Sequence, residues 1–291
     1  MAVIIGDEGA ISIGEELVAY GTTAAAFVFQ HGISADLVPI KPLIKPNILG
    51  TGPRTKSYGV GHSAGEAAVA MDDSRAVVGG LFNHFGTLAV NDFTMGSGNA
   101  ADTDSLTIRV DEGGYLMQYN GFVGSLLRKT IQSDQESMLS FNGLAREGTN
   151  ETPVTITSPA ESGIVMESDI AGSITLGGTA MCILAATVEA NWEVAAADRH
   201  CIGGSNPKQF RRHGVQLITG SLDLELSSDT GENTVAELAK FLAGNAIGDI
   251  VIGNTAIAGA WMTGDFPTLA PGIIQFTLNF EANTWIETTT A

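Results

Sequence analysis

The sequence is poor in positive charge, in cysteine and in long apolar runs. Its 291 residues include 14 Lys and Arg against 32 Asp and Glu, which gives a formal net charge of −18. Binding to nucleic acid or to an anionic membrane depends on Lys and Arg that neutralise phosphates, so this composition disfavours both. Cys182 and Cys201 cannot form a disulfide framework, and we expect two buried free thiols rather than a single bridge. No apolar stretch approaches the roughly 18 residues of a membrane-spanning helix.

Charged residues of either sign are also scarce. They make up 16% of the chain, against roughly 25% in typical soluble domains, and the mean hydropathy is +0.18. We interpret this as a sign that other subunits cover part of the surface. The 36 glycines follow no triplet period, which excludes collagen, and their abundance favours turns over a helical bundle.

Several segments alternate apolar and polar residues with the period of two that is typical of a half-buried strand. The clearest of them are residues 106–111, 188–194, 221–226 and 274–280. Strands of parallel sheets, which are buried on both faces, have continuous apolar runs instead. The alternation therefore predicts a mainly β fold of antiparallel sheets, each with one wet face.

Two short helices are predicted beside these strands. Thr234 and Glu237 stand at capping-box spacing before apolar residues that recur at helical intervals up to position 242. A second helical pattern covers residues 78–85, where a pair of glycines weakens it by roughly 1 kcal/mol each.

The regions around the two helices resemble each other. Gly65 followed by apolar residues at 67, 69 and 71 resembles Gly220 followed by leucines at 222, 224 and 226, and downstream 120–124 and 140–142 resemble 255–259 and 275–277. The length suits two ordinary domains. We predict a duplicated unit, with residues 1–157 as the first copy and 158–291 as the second. The alternative is that short alternations recur by chance.

A proline-rich segment precedes the first of these regions. Pro39, Pro42 and Pro46 cannot lie in a central strand, because proline donates no hydrogen bond to the ladder. We predict an extended arm over residues 39–52 that lies against another surface.

One motif suggests catalysis but stands in the wrong context. Gly61-His-Ser-Ala-Gly65 fits the nucleophile elbow of serine hydrolases, which exposes its serine between a strand and a helix. Here the residues after Ser63 alternate like a strand. The histidines and cysteines lack metal-ligand spacing, and no nucleotide-binding fingerprint is present. We therefore predict no enzyme activity, no cofactor and no metal, with a serine esterase that uses Ser63 as the alternative.

The few cations include one cluster, formed by Lys208, Arg211 and Arg212. A phosphate site is one interpretation. We favour contacts with carboxylates of a neighbouring subunit, because arginine is enriched at interfaces.

The order of these features resembles the major tail tube proteins of long-tailed bacteriophages. The motifs that carry the resemblance are Gly6-Asp-Glu-Gly-Ala10 running to Tyr20-Gly-Thr22, the proline-rich arm, Gly203-Gly-Ser-Asn-Pro207 with Arg211-Arg-His-Gly214, Ile218-Thr-Gly-Ser-Leu-Asp-Leu-Glu-Leu226 and Pro271-Gly-Ile-Ile-Gln-Phe-Thr-Leu-Asn-Phe280.

The resemblance implies a β-sandwich or barrel with a flanking helix, closing into rings that stack as a tube for DNA. It implies no catalytic residue, and as partners it implies further copies of the chain and the tape-measure, tail terminator and baseplate proteins. It places the protein in the virion tail after assembly in the host cytoplasm. Duplicated members form trimeric rings with pseudo-sixfold symmetry and single-unit members form hexamers, so the predicted duplication favours a trimer.

A conduit for DNA should not hold phosphates, so its lining should carry few cations. The candidates for a lumen lining are the carboxylates on wet strand faces, namely Asp223, Glu225, Glu189, Glu193 and Glu281. A further alternative is a carbohydrate-binding or adhesive β-sandwich on a cell or virion surface. That function needs an exposed aromatic platform, whereas aromatics are 7% of the chain and Trp192 and Phe276 fall on apolar faces.

Overall fold

The computed structural model describes 22 strands and one helix. The described residues are 9–16, 20–21, 23–24, 27–30, 32–40, 43–44, 59–60, 64–73, 79–89, 92–96, 105–112, 116–133, 135–151, 174–196, 210–225, 228–229, 232–233, 243, 247–263 and 275–288. Within these ranges no helix is long and apolar enough to cross a bilayer.

The elements, in chain order, are β1 Gly9–Glu15, β2 Val28–Gln30, β3 Gly32–Ile40, β4 Leu43–Ile44, β5 Gly59–Val60, β6 Ala64–Asp72, α1 Gly79–Phe85, β7 Thr87–Ala89, β8 Asp92–Met95, β9 Leu106–Glu112, β10 Leu116–Gln132, β11 Met138–Ala145, β12 Glu147–Glu151, β13 Ile174–Leu176, β14 Thr179–Ala180, β15 Ile183–Ala196, β16 Phe210–Glu225, β17 Ser228–Asp229, β18 Glu232–Asn233, β19 Gly248–Ile252, β20 Thr255–Met262, β21 Gln275–Ala282 and β22 Thr284–Thr288.

The main sheet has eight strands in the order β3-β6-β11-β10-β15-β16-β21-β20, and every neighbouring pair is antiparallel. The alternating segments of the sequence lie in β9, β15, β16 and β21, so the mainly β, antiparallel prediction is confirmed. Inward positions of these strands carry the core, as in β16, where Leu222 and Leu224 are fully buried.

Two smaller sheets cover the inner face of the main sheet. One has the order β2-β1-β9-β10-β12, and the other runs β14-β13-β19-β20-β22-β8-β7. The long strands β10 and β20 belong to both layers, and each contains a glycine with a φ of 65°, Gly121 and Gly259. When the pairings of the described strands are followed from one strand to the next, the path branches but never returns to the strand where it began. The layers thus form open sandwiches rather than a closed barrel.

Helix α1 packs between the two halves of the molecule. Its apolar face contains the buried Leu81, Phe82 and Phe85, in agreement with the helical pattern of the sequence. Phe85 stacks on Trp192 of β15 at 6.0 Å between ring centroids, and Phe82 meets the edge of Trp285 in β22 at 6.4 Å. The second predicted helix, over 234–242, lies outside the described residues.

The pairings of the first half recur in the second. Strands β1, β2, β3, β6, β9, β10, β11 and β12 pair among themselves in the same seven ways as β13, β14, β15, β16, β19, β20, β21 and β22. Irregularities recur as well. The register shift between Gly32 and Ser34 of β3 has its counterpart between Ile183 and Ala185 of β15.

The proline-rich segment is described only in part. Pro39 lies near the end of β3, whose one registered neighbour in the main sheet is β6 among the described strands, so this proline occupies an outer strand of the described sheet. Pro42 and Pro46 lie outside the described residues. Ser63 does too, and the residues that follow it, Ala64–Asp72, form strand β6. A nucleophile elbow requires a helix at that point.

Candidate functional site: an acidic sheet face

The outer face of the main sheet is the surface that the core does not use. Because side chains alternate along a strand, the residues between the buried positions of β6, β11, β15, β16 and β21 all point to this face. The pairing registers confirm that they share it. Asp223 lies opposite Thr277, and Glu281 lies opposite Thr219.

Carboxylates are the main charged groups on the described part of this face. Among the described side chains it carries eight of them, at Asp36, Glu66, Asp72, Glu189, Glu193, Asp223, Glu225 and Glu281. All five lumen candidates from the sequence are in this group. The two halves both contribute, since Asp36, Glu66 and Asp72 stand on β3 and β6.

One guanidinium lies among these carboxylates in the described part of the face. Arg128 of β10 donates from Nε to Glu189 Oε1 of β15 at 2.5 Å, across the junction between the halves. The Arg128 side chain is 47% exposed, so solvent screens the pair, and such a bridge stabilises by about 1 kcal/mol at most. The described side chains of the face thus include eight carboxylates and one cation.

Two further polar contacts on the face are local. Thr277 donates its hydroxyl to Asp223 Oδ1 at 2.6 Å, and the Cys182 thiol donates to Glu225 Oε2 at 3.7 Å. Cys182 is a half-buried free thiol, while Cys201 lies outside the described residues. Both contacts are with uncharged groups.

The predicted basic cluster is described at two of its three positions. Arg212 points inward, where it donates from Nη1 to His84 O at 2.8 Å and from Nε to Gly124 O at 3.0 Å. Its guanidinium also lies 4.4 Å from the centroid of the Trp192 ring. Arg212 therefore caps the last turn of α1 within its own chain. The backbone of Arg211 is in β16, and Lys208 lies outside the described residues.

The sequence reasoning missed a buried ion cluster beneath the face. Lys129 Nζ lies 2.8 Å from Asp73 Oδ2 and 3.0 Å from Glu287 Oε2, and all three side chains are at most 2% exposed. Thr255 Oγ1 and Trp285 Nε1 both donate to Glu287 Oε1 at 2.7 Å. The available signal was a lysine at an inward position of β10, between Leu127 and Ile131.

The cluster joins the two halves of the chain. Lys129 and Asp73 belong to the first half, whereas Glu287 comes from β22 at the end of the second. A buried charge left without its partner is costly, so this cluster fixes how β10 and β22 sit relative to each other.

The family of the chain follows from a match that covers nearly all of these elements. The family model described as "Phage tail tube protein" matches residues 6–282, from before β1 to the end of β21. Comparison with curated proteins gave no match. The family is structural, its members form the tube of the virion tail, and the resemblance found in the sequence is confirmed. The chain belongs to the phage tail tube protein family.

Proposed function

We propose that copies of this chain close into rings, that the rings stack into a hollow tail tube, and that the acidic sheet face lines the bore through which DNA reaches the host. The observation that carries the proposal is the gathering of all five predicted lumen carboxylates on one face of one sheet. The other face of this sheet carries the buried core, so the acidic face is the one free to point to the axis of a ring.

The charge of that face suits transit rather than binding. Each cation that contacts a phosphate releases a counterion and adds affinity, and such contacts would hold the DNA. Carboxylates spaced within the roughly 8 Å Debye length of physiological salt reinforce one another in repelling phosphates. DNA is then kept away from the wall.

The repeated strand pairings support a duplicated unit. The last paired strand of the first set ends at Glu151 and the first strand of the second set begins at Ile174. The proposed boundary at 157/158 falls between them, outside the described residues. A chain with two tube units would occupy two of six pseudo-equivalent positions in a ring.

Three chains with eight strands each would give a wall of about 24 strands. At a spacing of about 4.8 Å, these strands span a perimeter of about 115 Å and a width of about 37 Å between backbones before strand tilt widens it. Two chains would give about 16 strands, the number found in barrels with an aqueous channel. The wider bore favours three chains over two, and a hexamer of six whole chains is the competing outcome.

The remaining partners follow from the place of such a tube in a virion. We propose that the tube surrounds a tape-measure protein and meets a terminator at one end and a baseplate at the other. Assembly takes place in the host cytoplasm.

Electron microscopy of the purified chain tests the assembly. We expect hollow rings or tubes whose averages show threefold symmetry with six similar lobes. A particle that stays monomeric at every concentration would refute the proposal, and six whole chains in each ring would refute the trimer.

A charge reversal tests the lining. Tubes of Asp223→Lys/Glu281→Lys should retain a short fluorescent DNA duplex at low salt and release it at high salt, whereas wild-type tubes should retain none. Glu136→Lys, at an exposed position between β10 and β11, is the control with an equal change per residue. If the double variant excludes DNA as the wild type does, these carboxylates do not line the bore.

A further inference from the structure

The buried ion cluster places a lysine and two carboxylates together in the apolar core. Lys129 lies beside Asp73, and a second carboxylate, Glu287, contacts the same ammonium group. The strand neighbours are apolar, because Lys129 pairs with the buried Leu139 on one side and the buried Val188 on the other. Two carboxylates thus share one described cation in a site where an excess charge is costly.

Asp73 is held through one of its two carboxyl oxygens. Oδ2 lies 2.8 Å from Lys129 Nζ and accepts a hydrogen bond from Ser137 Oγ at 3.2 Å. Oδ1 is buried as well, but it accepts no hydrogen bond from the described residues. A buried acceptor without a donor is costly, so the ion pair leaves one oxygen of Asp73 poorly matched to its surroundings.

Glu287 is oriented towards the same ammonium group. Its Oε1 accepts hydrogen bonds from Thr255 Oγ1 and Trp285 Nε1, both at 2.7 Å. Its Oε2 lies 3.0 Å from Lys129 Nζ. A carboxylate that is within hydrogen-bond distance of the nitrogen, and is itself fixed by two donors, has the placement of a general base.

We propose that this cluster forms an isopeptide bond between Lys129 Nζ and Asp73 Cγ, with Glu287 relaying the protons. The ion cluster is the arrangement before the reaction. Nζ gives a proton to Glu287 and attacks Cγ, the Nζ–Cγ bond forms, and the bond from Cγ to Oδ1 breaks. Two protons of the ammonium group leave with Oδ1 as water, the amide keeps the third, and Glu287 ends as a carboxylate again. The reaction needs no oxidant and no co-reactant.

The fold supplies what this reaction requires. An amine and a carboxyl group held in contact react as one unit rather than by collision, and burial keeps bulk water from reversing the step. The product also matches its surroundings better than the ion pair does. The new N–H group donates to Glu287 Oε2, the carbonyl oxygen Oδ2 keeps its hydrogen bond from Ser137, and the unmatched Oδ1 is gone.

The bond joins two strands that are distant in sequence. Asp73 directly follows β6, and Lys129 lies within β10, so the bond closes a loop that contains α1, β7, β8 and β9. As with a disulfide, closing this loop restricts the unfolded chain and so favours the folded one. The inference concerns the single chain and does not depend on whether rings form.

Mass spectrometry of the folded, purified chain gives the first test. After allowance for the substitution, the unmodified chain should weigh one water molecule less than Lys129→Arg, which keeps the cation but cannot form the bond. Digestion with trypsin should yield residues 57–75 joined to residues 129–146, because cleavage after Lys129 is blocked. A chain without the loss of water, or one that loses water without this joined pair, would overturn the inference.

Three further variants test the chemistry. Asp73→Asn should still form the bond but release ammonia, so its product should have the same mass as that of the unmodified chain. Glu287→Gln keeps both reacting groups and, in chain shown to be folded by circular dichroism, should leave them unjoined. Asp72→Asn, at the neighbouring carboxylate on the acidic face, is the matched control and should lose water as the unmodified chain does.

Each variant can contradict a separate part of the inference. A joined pair in Glu287→Gln would refute the proton relay, and an unjoined Asp72→Asn would refute the assignment to Asp73. If Glu287→Gln does not fold, Asp73→Asn still decides, since a folded Asp73→Asn chain that releases no ammonia would refute the reaction. The stability of the ion cluster itself is measured on chain that its mass shows to be unreacted.

Discussion

Replacing Lys129 by methionine should destabilise the chain strongly. The substitution keeps the length of the side chain but removes the ammonium group that lies within 3.0 Å of both Asp73 and Glu287. Two carboxylates then remain in a site where every side chain is at most 2% exposed. Breaking a buried ion pair by removing one partner costs about 3–5 kcal/mol, and we expect a loss of free energy of unfolding in that range.

Urea unfolding followed by circular dichroism measures this loss. For an m-value of about 3 kcal/mol per M, the midpoint should fall by roughly 1 M or more. The matched variant is Lys129→Met/Asp73→Asn/Glu287→Gln, which removes all the charges while keeping the shapes. It should recover much of the loss, because uncharged amides in place of the carboxylates no longer leave a buried charge uncompensated.

Two results would refute the reasoning. One is a loss of less than about 1 kcal/mol for the single variant, the value of an exposed pair. The other is a triple variant no more stable than the single one, since the damage would then come from packing and not from charge.

Five other substitutions test three separate features. Burial, and to a lesser degree the Arg212 guanidinium, hold the pKa of His84 well below its ordinary 6.5. The unfolded chain therefore binds the extra proton, and the free energy of unfolding should fall by up to about 1.4 kcal/mol for each pH unit below 6.5. His84→Gln should remove this slope in urea titrations at several pH values. Gly121→Ala and Gly259→Ala place a side chain at a φ of 65°, and each should lower thermal stability by at least about 1 kcal/mol. An unchanged melting temperature for either variant would contradict the need for glycine at this backbone conformation. Arg212→Ala should lower the stability of the free chain by about 1.5–3 kcal/mol, because its hydrogen bonds to backbone carbonyls are lost. Arg211→Ala should instead weaken ring formation, measured by sedimentation, if the predicted contact between subunits exists. Equal effects of the two variants would refute the assignment of Arg212 to an internal contact and Arg211 to a contact between subunits.

The sequence predicted the strands better than it predicted their partners. The period of two in β9, β15, β16 and β21 is a local property, because burial on one face imposes it residue by residue. Sheet order is not local. The residues of β10 do not indicate that this strand pairs with β11 and β15 in one layer and with β9 and β12 in the other.

The comparison of the two halves shows the same limit at the level of residues. The likeness of sequence aligned Val69 with Leu224 and Phe141 with Phe276, whereas the pairings align Val69 with Leu222 and Phe141 with Leu278. Both strands are displaced by two residues in opposite directions. A displacement of two keeps every side chain on its face, so apolar alternation alone cannot detect it.

The sequence did not predict the buried ion cluster, for a different reason. A lysine in a strand is read as a wet position, and its burial depends on Glu287, which arrives from β22 more than 150 residues later. Long-range neutralisation of this kind leaves no periodic signal. What the sequence does retain is the misplaced charge itself, a lysine where the alternation requires an apolar residue.

The acidity of the sheet face depends on where the cations go as much as on the number of carboxylates. The side chains of five of the scarce Lys and Arg residues are described, at Arg109, Arg128, Lys129, Arg146 and Arg212. Lys129 is buried in an ion cluster and Arg212 caps a helix inside the chain, while Arg109 donates to Gln118 on the other layer and Arg146 lies against Gly21 and Gly121. Only Arg128 of these five reaches the acidic face, and there it is matched by Glu189. The fold thus assigns its described cations to internal contacts, so the described part of the face is negative within a single chain.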